Sequence, residues 1–261
     1  MEELLKIENL TVDFYTADGF RRALNGITFN IKKGEIFALV GESGSGKTVT
    51  CMSILNLLPP AGMVSAGEIF FEGRKNLLKL SNKEMLSIRG KEIGMVFQEP
   101  LLALNPVFNI GNQISEVLRF HLGLEKKQAK DSALRLLTQV GMPLPAEAIY
   151  RFPHQLSGGM RQRAMIAEAI ACGPKLLLAD EPTSSLDVTI QVQILNLFKK
   201  LRDKLGVSIL LVTHDLSIVS FIADRIALIK EGRIIEMGEK SEILNHPKDP
   251  YTKNLIEAAV L

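Results

Sequence analysis

The chain reads as an α/β protein with a mainly parallel central sheet, an antiparallel β portion ahead of it and a helical insertion within it. Three patterns predict this. The runs at 36–40, 176–179 and 207–212 are continuously apolar, as strands must be when helices cover both faces of a parallel sheet. Segments 5–12 and 27–31 alternate apolar with polar residues, which fits half-exposed antiparallel strands. Between Pro100 and Pro153 the period becomes helical: 110–122 is followed by 126–140, where Ala129, Ala133, Leu136, Leu137 and Val140 share one face.

In chain order, Ala17-Asp18-Gly19 is the expected turn of the first hairpin. The apolar run 36–40 then leads into Gly41-Glu42-Ser43-Gly44-Ser45-Gly46-Lys47-Thr48, which matches the phosphate-binding P-loop at every defined position. Its glycines allow backbone amides to turn toward phosphate oxygens, Lys47 reaches the β- and γ-phosphates, and the Thr48 hydroxyl ligates Mg²⁺. A helix expected over 46–58 points its positive N-terminal end at the same anion. Gln98 follows a short strand at 93–97. Past the helical insertion, Leu156-Ser157-Gly158-Gly159-Met160 is a Gly-rich turn opening a helix, and so a second anion site. Lys175 leads into an apolar strand ending in Asp180-Glu181-Pro182, where Pro182 stops it. Ser184-Ser185-Leu186-Asp187 precedes a helix over 190–205, and the strand 207–212 delivers Thr213-His214-Asp215. A hairpin about Glu231-Gly232-Arg233 and short helices from Ser241 and over 250–260 complete the chain.

A P-loop alone does not separate ATPases from GTPases, kinases or motors. Six elements in sequence do: P-loop, Gln98 loop, Gly-rich signature, acidic strand, Asp187 loop and His214. Together they resemble the nucleotide-binding subunit of ATP-binding-cassette (ABC) transporters over nearly the whole chain. The signature ends in Met160 where many members carry Gln. That departure, with Gln98-Glu99-Pro100, Leu104-Asn105-Pro106 and His246-Pro247-Lys248-Asp249-Pro250-Tyr251-Thr252, resembles the peptide and nickel importer branch. Many peptide-type members carry a further C-terminal segment with a cysteine cluster. With two cysteines and an end at Leu261, the sequence resembles the shorter nickel-type members or a shortened peptide-type one.

The resemblance assigns the carboxylates different tasks. Asp180 holds Mg²⁺, through water, and Glu181 polarises the attacking water. His214 donates to the γ-phosphate, and Gln98 coordinates Mg²⁺ or the water through its amide oxygen while sensing the γ-phosphate. Adenine needs a flat apolar partner, and Phe14 and Tyr15 are the candidates; Phe14 falls where the family's stacking aromatic sits. No Asn-Lys-x-Asp base-reading element of a GTPase occurs, and stacking alone leaves base selectivity modest; ATP is the nucleotide that its abundance and the resemblance imply. The resemblance further implies that Ser157, Gly158, Gly159, Met160 and Asp187 act in trans, on ATP held by a second cassette docked head to tail.

A single cassette spanning 1–261 is therefore expected, with a catalytic core at 1–99 and 154–238, a helical subdomain at 100–153 and a C-terminal helical segment at 239–261. Its implied partners are a second ABC ATPase subunit, identical or a paralogue, two transmembrane permeases and an extracytoplasmic solute-binding protein, with the chain peripheral at the cytoplasmic face of the cell membrane. The function that follows is ATP hydrolysis driving uptake of peptides or nickel. A soluble ATPase of DNA repair or translation, or a regulator of membrane machinery, is the alternative. DNA-repair relatives insert a long coiled coil and translation relatives join two cassettes, and neither feature is in this sequence. Composition agrees: 31 basic against 29 acidic residues give a net charge of +2, too small a field to imply nucleic acid. Cys51 and Cys172 read as reduced structural thiols, the N-terminus lacks a signal-peptide pattern, and no apolar run approaches the ~18–20 residues of a membrane span.

Overall fold

The computed structural model describes residues 2–17, 19–73 and 75–260. The chain divides into two compact units, Met1–Met85 with Ser208–Leu261, and Leu86–Val207.

The first unit opens with two antiparallel strands, β1 (Glu3–Thr16) and β2 (Gly19–Lys32), both longer than the alternating segments required. Of their expected turn, Asp18 lies outside the described residues. Ile7 and Leu10 are both fully buried, although a regular strand would place them on opposite faces. A bulge at Asn9, with φ of 48°, restores the phase. All five residues of β3 (Ile36–Val40) are buried, and α1 (Lys47–Ile54) follows its loop. This helix ends at Ile54 and not near 58, because Asn56 turns left-handed at φ 50° and Pro59 and Pro60 donate no amide. β4 (Gly62–Phe71), which the sequence pattern did not announce, pairs antiparallel with β1 and carries the short β5 (Lys75–Asn76), giving the order β2-β1-β4-β5. α2 (Asn82–Leu86) leads out of this unit.

In the second unit β6 (Ile93–Val96) is followed by α3 (Pro100–Ala103), α4 (Ile110–Leu122), α5 (Lys126–Gln139), α6 (Pro145–Ala148) and α7 (Gly158–Ala169). Asn109 caps α4 by accepting from the Asn112 amide, and Gly123 ends it at φ 67°. β7 (Leu176–Asp180) lies parallel to β6, with Ile93 opposite Leu176 and Val96 opposite Ala179. α8 (Val188–Leu205) starts at Val188 rather than Ile190, because the Asp187 carboxylate caps it.

The chain re-enters the first unit through β8 (Ser208–Thr213), α9 (Leu216–Ile222), β9 (Arg225–Lys230), β10 (Arg233–Glu239), α10 (Lys240–Asn245) and α11 (Pro250–Val260). β3 lies between β8 and β9, parallel to both, and β10 returns antiparallel to β9. Glu231 and Gly232 both take positive φ, 48° and 74°, as a tight hairpin turn requires. Leu255 and Ile256 of α11 pack on a cluster that includes Val40, Val219, Leu228 and Ile243, so the C-terminal helix rests on the strands around β3. No helix among the described residues is long and apolar enough to cross a membrane.

Candidate active site

Burial of β3 on all sides fixes where the loop after it begins. The Gly41 amide donates to the Thr213 carbonyl at 3.4 Å, tying the loop to the end of β8. A Cβ on Gly41 would lie 2.1 Å from the Ile229 carbonyl oxygen, so only glycine permits this approach of loop and β9. Gly46 sits at φ 109° just before α1. The Lys47 side chain folds back into the loop, 5% exposed, and its ammonium donates to the carbonyls of Gly41 (2.8 Å) and Glu42 (2.9 Å). The Ser45 hydroxyl is buried and has no hydrogen-bond partner among the described residues, whereas Thr48 is exposed on the first turn of α1. An ammonium, a helix N-terminus and an orphaned hydroxyl around a ring of amides form a cradle suited to phosphate.

The second unit holds the carboxylates. Asp180 ends β7 at 2% exposure. Glu181 lies past the strand with φ of 42°, so this left-handed turn, and not the strand pleat, sets its direction. The Gln98 amide nitrogen donates to the Glu181 carboxylate at 3.3 Å, bringing together two residues that the sequence only placed in separate loops. The Glu181 carbonyl accepts from the Ser184 amide and hydroxyl, closing the turn. Ser157 caps α7 by accepting from the Met160 amide at 3.4 Å. Asp187 caps α8 through the Ile190 amide at 3.0 Å. The two caps are packed neighbours: a Cβ on Gly159 would come 2.8 Å from Ile190, and one on Gly158 3.6 Å from Leu186.

In the first unit His214 is exposed directly after β8, ahead of Asp215, which caps α9 by accepting from the Ser217 amide. The Phe14 ring lies against Gly62 and is partly covered, whereas Tyr15 is 63% exposed. The Tyr15 ring centroid stands 4.1 Å from that of Phe20. Phe20 was missed in the sequence, where an aromatic at a hairpin tip beside Gly19 was the available signal.

The family model described as ABC transporter matches residues 24–184. The chain belongs to the ABC transporter family. Among curated relatives this cassette is 51% identical over 254 residues to the oligopeptide transport ATP-binding protein OppD of Bacillus subtilis, covering 97% of this chain and 71% of that protein. It is 49% identical over 257 residues to the dipeptide transport ATP-binding protein DppD of the same organism, covering 98% and 76%. Among solved structures it is similar to the ATP-binding cassette MJ0796, in a dimeric post-hydrolysis state bound to ADP and Pi, with a TM-score of 0.82, 30% identity and coverage of 91% and 99%. The fold is thus that of an ABC ATPase, and the cassette is the ATP-binding component of a transporter.

Within its second unit the cassette also carries a cavity of about 310 Å³, lined by Ala103, Phe108, Val117, Phe120, Glu116 and Glu168 among others. Buried Gln113 shapes its rim: the side chain accepts from the Asn105 amide and donates to the carbonyls of Asn105 and Phe108, presenting the exposed Val107 and Phe108. Burial, reinforced by the Glu116 charge, pushes the Glu168 carboxyl up to about 7. Folding therefore favours its protonated form. Stability that Glu168 allows at pH 4 is lost as pH rises from the ordinary carboxylate range through about 7. Glu168→Gln is expected to melt like wild type at pH 4–5 and higher at pH 8, by up to ~3 kcal/mol from the value of a pKa unit. Thermal melts at both pH values check this, and an equal gap at both would contradict it. The sequence signal for Glu168 was a lone carboxylate between Met165-Ile166-Ala167 and Ala169-Ile170.

Proposed function

We propose that this cassette is the energy-supplying subunit of an importer for dipeptides or oligopeptides, hydrolysing ATP at a head-to-tail pair of cassettes. The observation that carries the peptide reading is that relatives named for oligopeptide and dipeptide transport match 97–98% of the chain at 49–51% identity.

Gly41, Glu42, Ser43, Gly44, Ser45, Gly46, Lys47 and Thr48 hold the phosphates, and the orphaned Ser45 hydroxyl and the buried Lys47 ammonium support this. Thr48, Gln98 and Asp180 are oxygen donors of the kind Mg²⁺ takes, and because the Gln98 nitrogen faces Glu181, its oxygen is left for the metal. When bound by these residues, Mg²⁺ would supply neutralisation of phosphate charge. Glu181 polarises the attacking water, with Gln98 orienting the carboxylate and His214 donating toward the γ-phosphate. Phe14 or the more exposed Tyr15 stacks on adenine.

Ser157, Gly158, Gly159, Met160 and Asp187 serve the nucleotide of the opposing cassette. Their packing as one body suits a surface that reads γ-phosphate as a unit. ATP then holds the pair closed, and hydrolysis removes the charge that bridges it. The helical part at 100–153, set in the core at 1–99 and 154–238, receives cytoplasmic helices of the two permeases in the cavity beside Phe108 and Phe120. A solute-binding protein delivers cargo from outside, and the cassette is peripheral at the cytoplasmic membrane face.

Uptake of a labelled tripeptide by cells lacking the chain tests this. Restoration by wild type but not by Glu181→Gln is expected. Restoration of nickel uptake alone, with tripeptide uptake unaffected by the deletion, would overturn the peptide reading.

A further inference from the structure

The run His246-Pro247-Lys248-Asp249-Pro250-Tyr251-Thr252 has no part in the chemistry above, yet it is firmly held. The Glu236 carboxylate on β10 accepts from the amides of Lys248 (2.9 Å) and Asp249 (3.1 Å), and the Lys248 ammonium pairs with Glu242 at 2.9 Å. The Asp249 carboxylate accepts from the Tyr251 amide at 2.7 Å in the first turn of α11. The Lys230 ammonium, at the end of β9, stands 4.7 Å from the centre of that ring. The residue before it, Ile229, supplies the carbonyl that the phosphate loop meets at Gly41.

The ring carries its hydroxyl to the loop itself. The Tyr251 oxygen is buried beside the main-chain amide and the carboxylate of Glu42, and it meets hydrogen-bond geometry with no group among the described residues. Burial, together with the Glu42 charge, pushes the phenol up, so it remains a protonated donor. On its other side the Glu42 peptide is fully employed, its carbonyl accepting from the Lys47 ammonium at 2.9 Å and from the Ser45 amide at 3.2 Å. A buried hydroxyl one small shift from a partner is a cost that the shift removes. The Glu42 peptide is tied through its carbonyl to Lys47 and the Ser45 amide, the groups that a bound phosphate would engage.

We propose that Tyr251 is a positioning residue of the phosphate loop, its hydroxyl closing onto Glu42 when nucleotide draws the loop in, so that the C-terminal segment tunes ATP affinity. The inference rests on the P-loop assignment made under Proposed function. A contact made only in the bound loop adds to nucleotide affinity without adding to the stability of the empty protein. This separates it from a packing role.

The test is Tyr251→Phe in the full chain, which keeps the ring and Lys230 contact. Titration with a fluorescent ATP analogue is expected to give a Kd higher by roughly 3–10-fold, the usual range for one hydrogen bond. The nucleotide-free variant is expected to melt at or above the wild-type temperature, because an unsatisfied buried hydroxyl has gone. In Glu42→Ala, adding Tyr251→Phe is expected to change the Kd no further. Lys47→Ala serves as the control: if it leaves the Kd unchanged, the P-loop reading itself fails. If Lys47→Ala weakens binding but Tyr251→Phe leaves the Kd within twofold of wild type, or only lowers the melting temperature, the positioning role is overturned.

Discussion

Glu181→Gln is expected to leave ATP bound and to lower its hydrolysis by about 10²–10⁴-fold, the range a positioned general base supplies. The amide is isosteric and still meets Gln98, so the turn at φ 42° that aims the side chain is kept. What disappears is the charge that, in the role proposed for Glu181, draws a proton from water. The turn itself is closed by the Ser184 amide and hydroxyl, which the substitution leaves in place. Such a variant accumulates the ATP-bound closed pair, which sedimentation with and without ATP, in the presence of its partner cassette, detects. Turnover near the wild-type rate would remove Glu181 from the chemistry.

Lys47→Ala is expected to act one step earlier and to weaken ATP binding itself, by about 10–100-fold on the scale of a charge-assisted hydrogen bond. The ammonium is nearly buried and already desolvated, so its attraction to phosphate is little screened. Its removal also takes one donor from each of the Gly41 and Glu42 carbonyls, and some loss of stability is expected with the change. The two effects separate by measurement: adenosine, which has no phosphates, is expected to bind both proteins alike, while ATP distinguishes them. Unchanged ATP affinity would contradict the P-loop assignment. Together the variants divide binding from hydrolysis, which is what a cassette that closes on ATP and opens after hydrolysis requires.

Much of this was legible because it is local. The apolar runs of β3, β7 and β8 and the glycine spacing of 41–48 fix strand, loop and helix within a few residues of each other. The amphipathic stripes of α4 and α5 are likewise written in neighbouring positions, whereas the cap that Asp187 provides was not read, and α8 begins two residues before its expected start. β4 was not legible: most of its residues are only partly buried, and Gly62, Ala66 and Gly67 dilute its pattern, so its strand character comes from pairing with β1. Nor was the early end of α1, where Leu57 and Leu58 prolong an apolar run although Asn56 has already turned left-handed. At the site, the residue types were readable but their meetings were not. Gln98 reaches Glu181 because β6 and β7 are parallel neighbours whose loops emerge at the same end, and Tyr251 comes to lie beside Glu42 because α11 docks on the strands flanking β3. The positive φ of Glu181 is a tertiary imposition with no signature in residue choice.

The claim at the centre is that the cassette drives an importer, and its partners decide that most directly. The measurement is to tag the chain, isolate it from native membranes in mild detergent and identify by mass spectrometry what accompanies it. Two integral-membrane permeases, a cassette and a solute-binding protein are the predicted companions. Recovery with ribosomes or DNA, and with no integral membrane protein, would contradict the importer while leaving the ATPase chemistry in place.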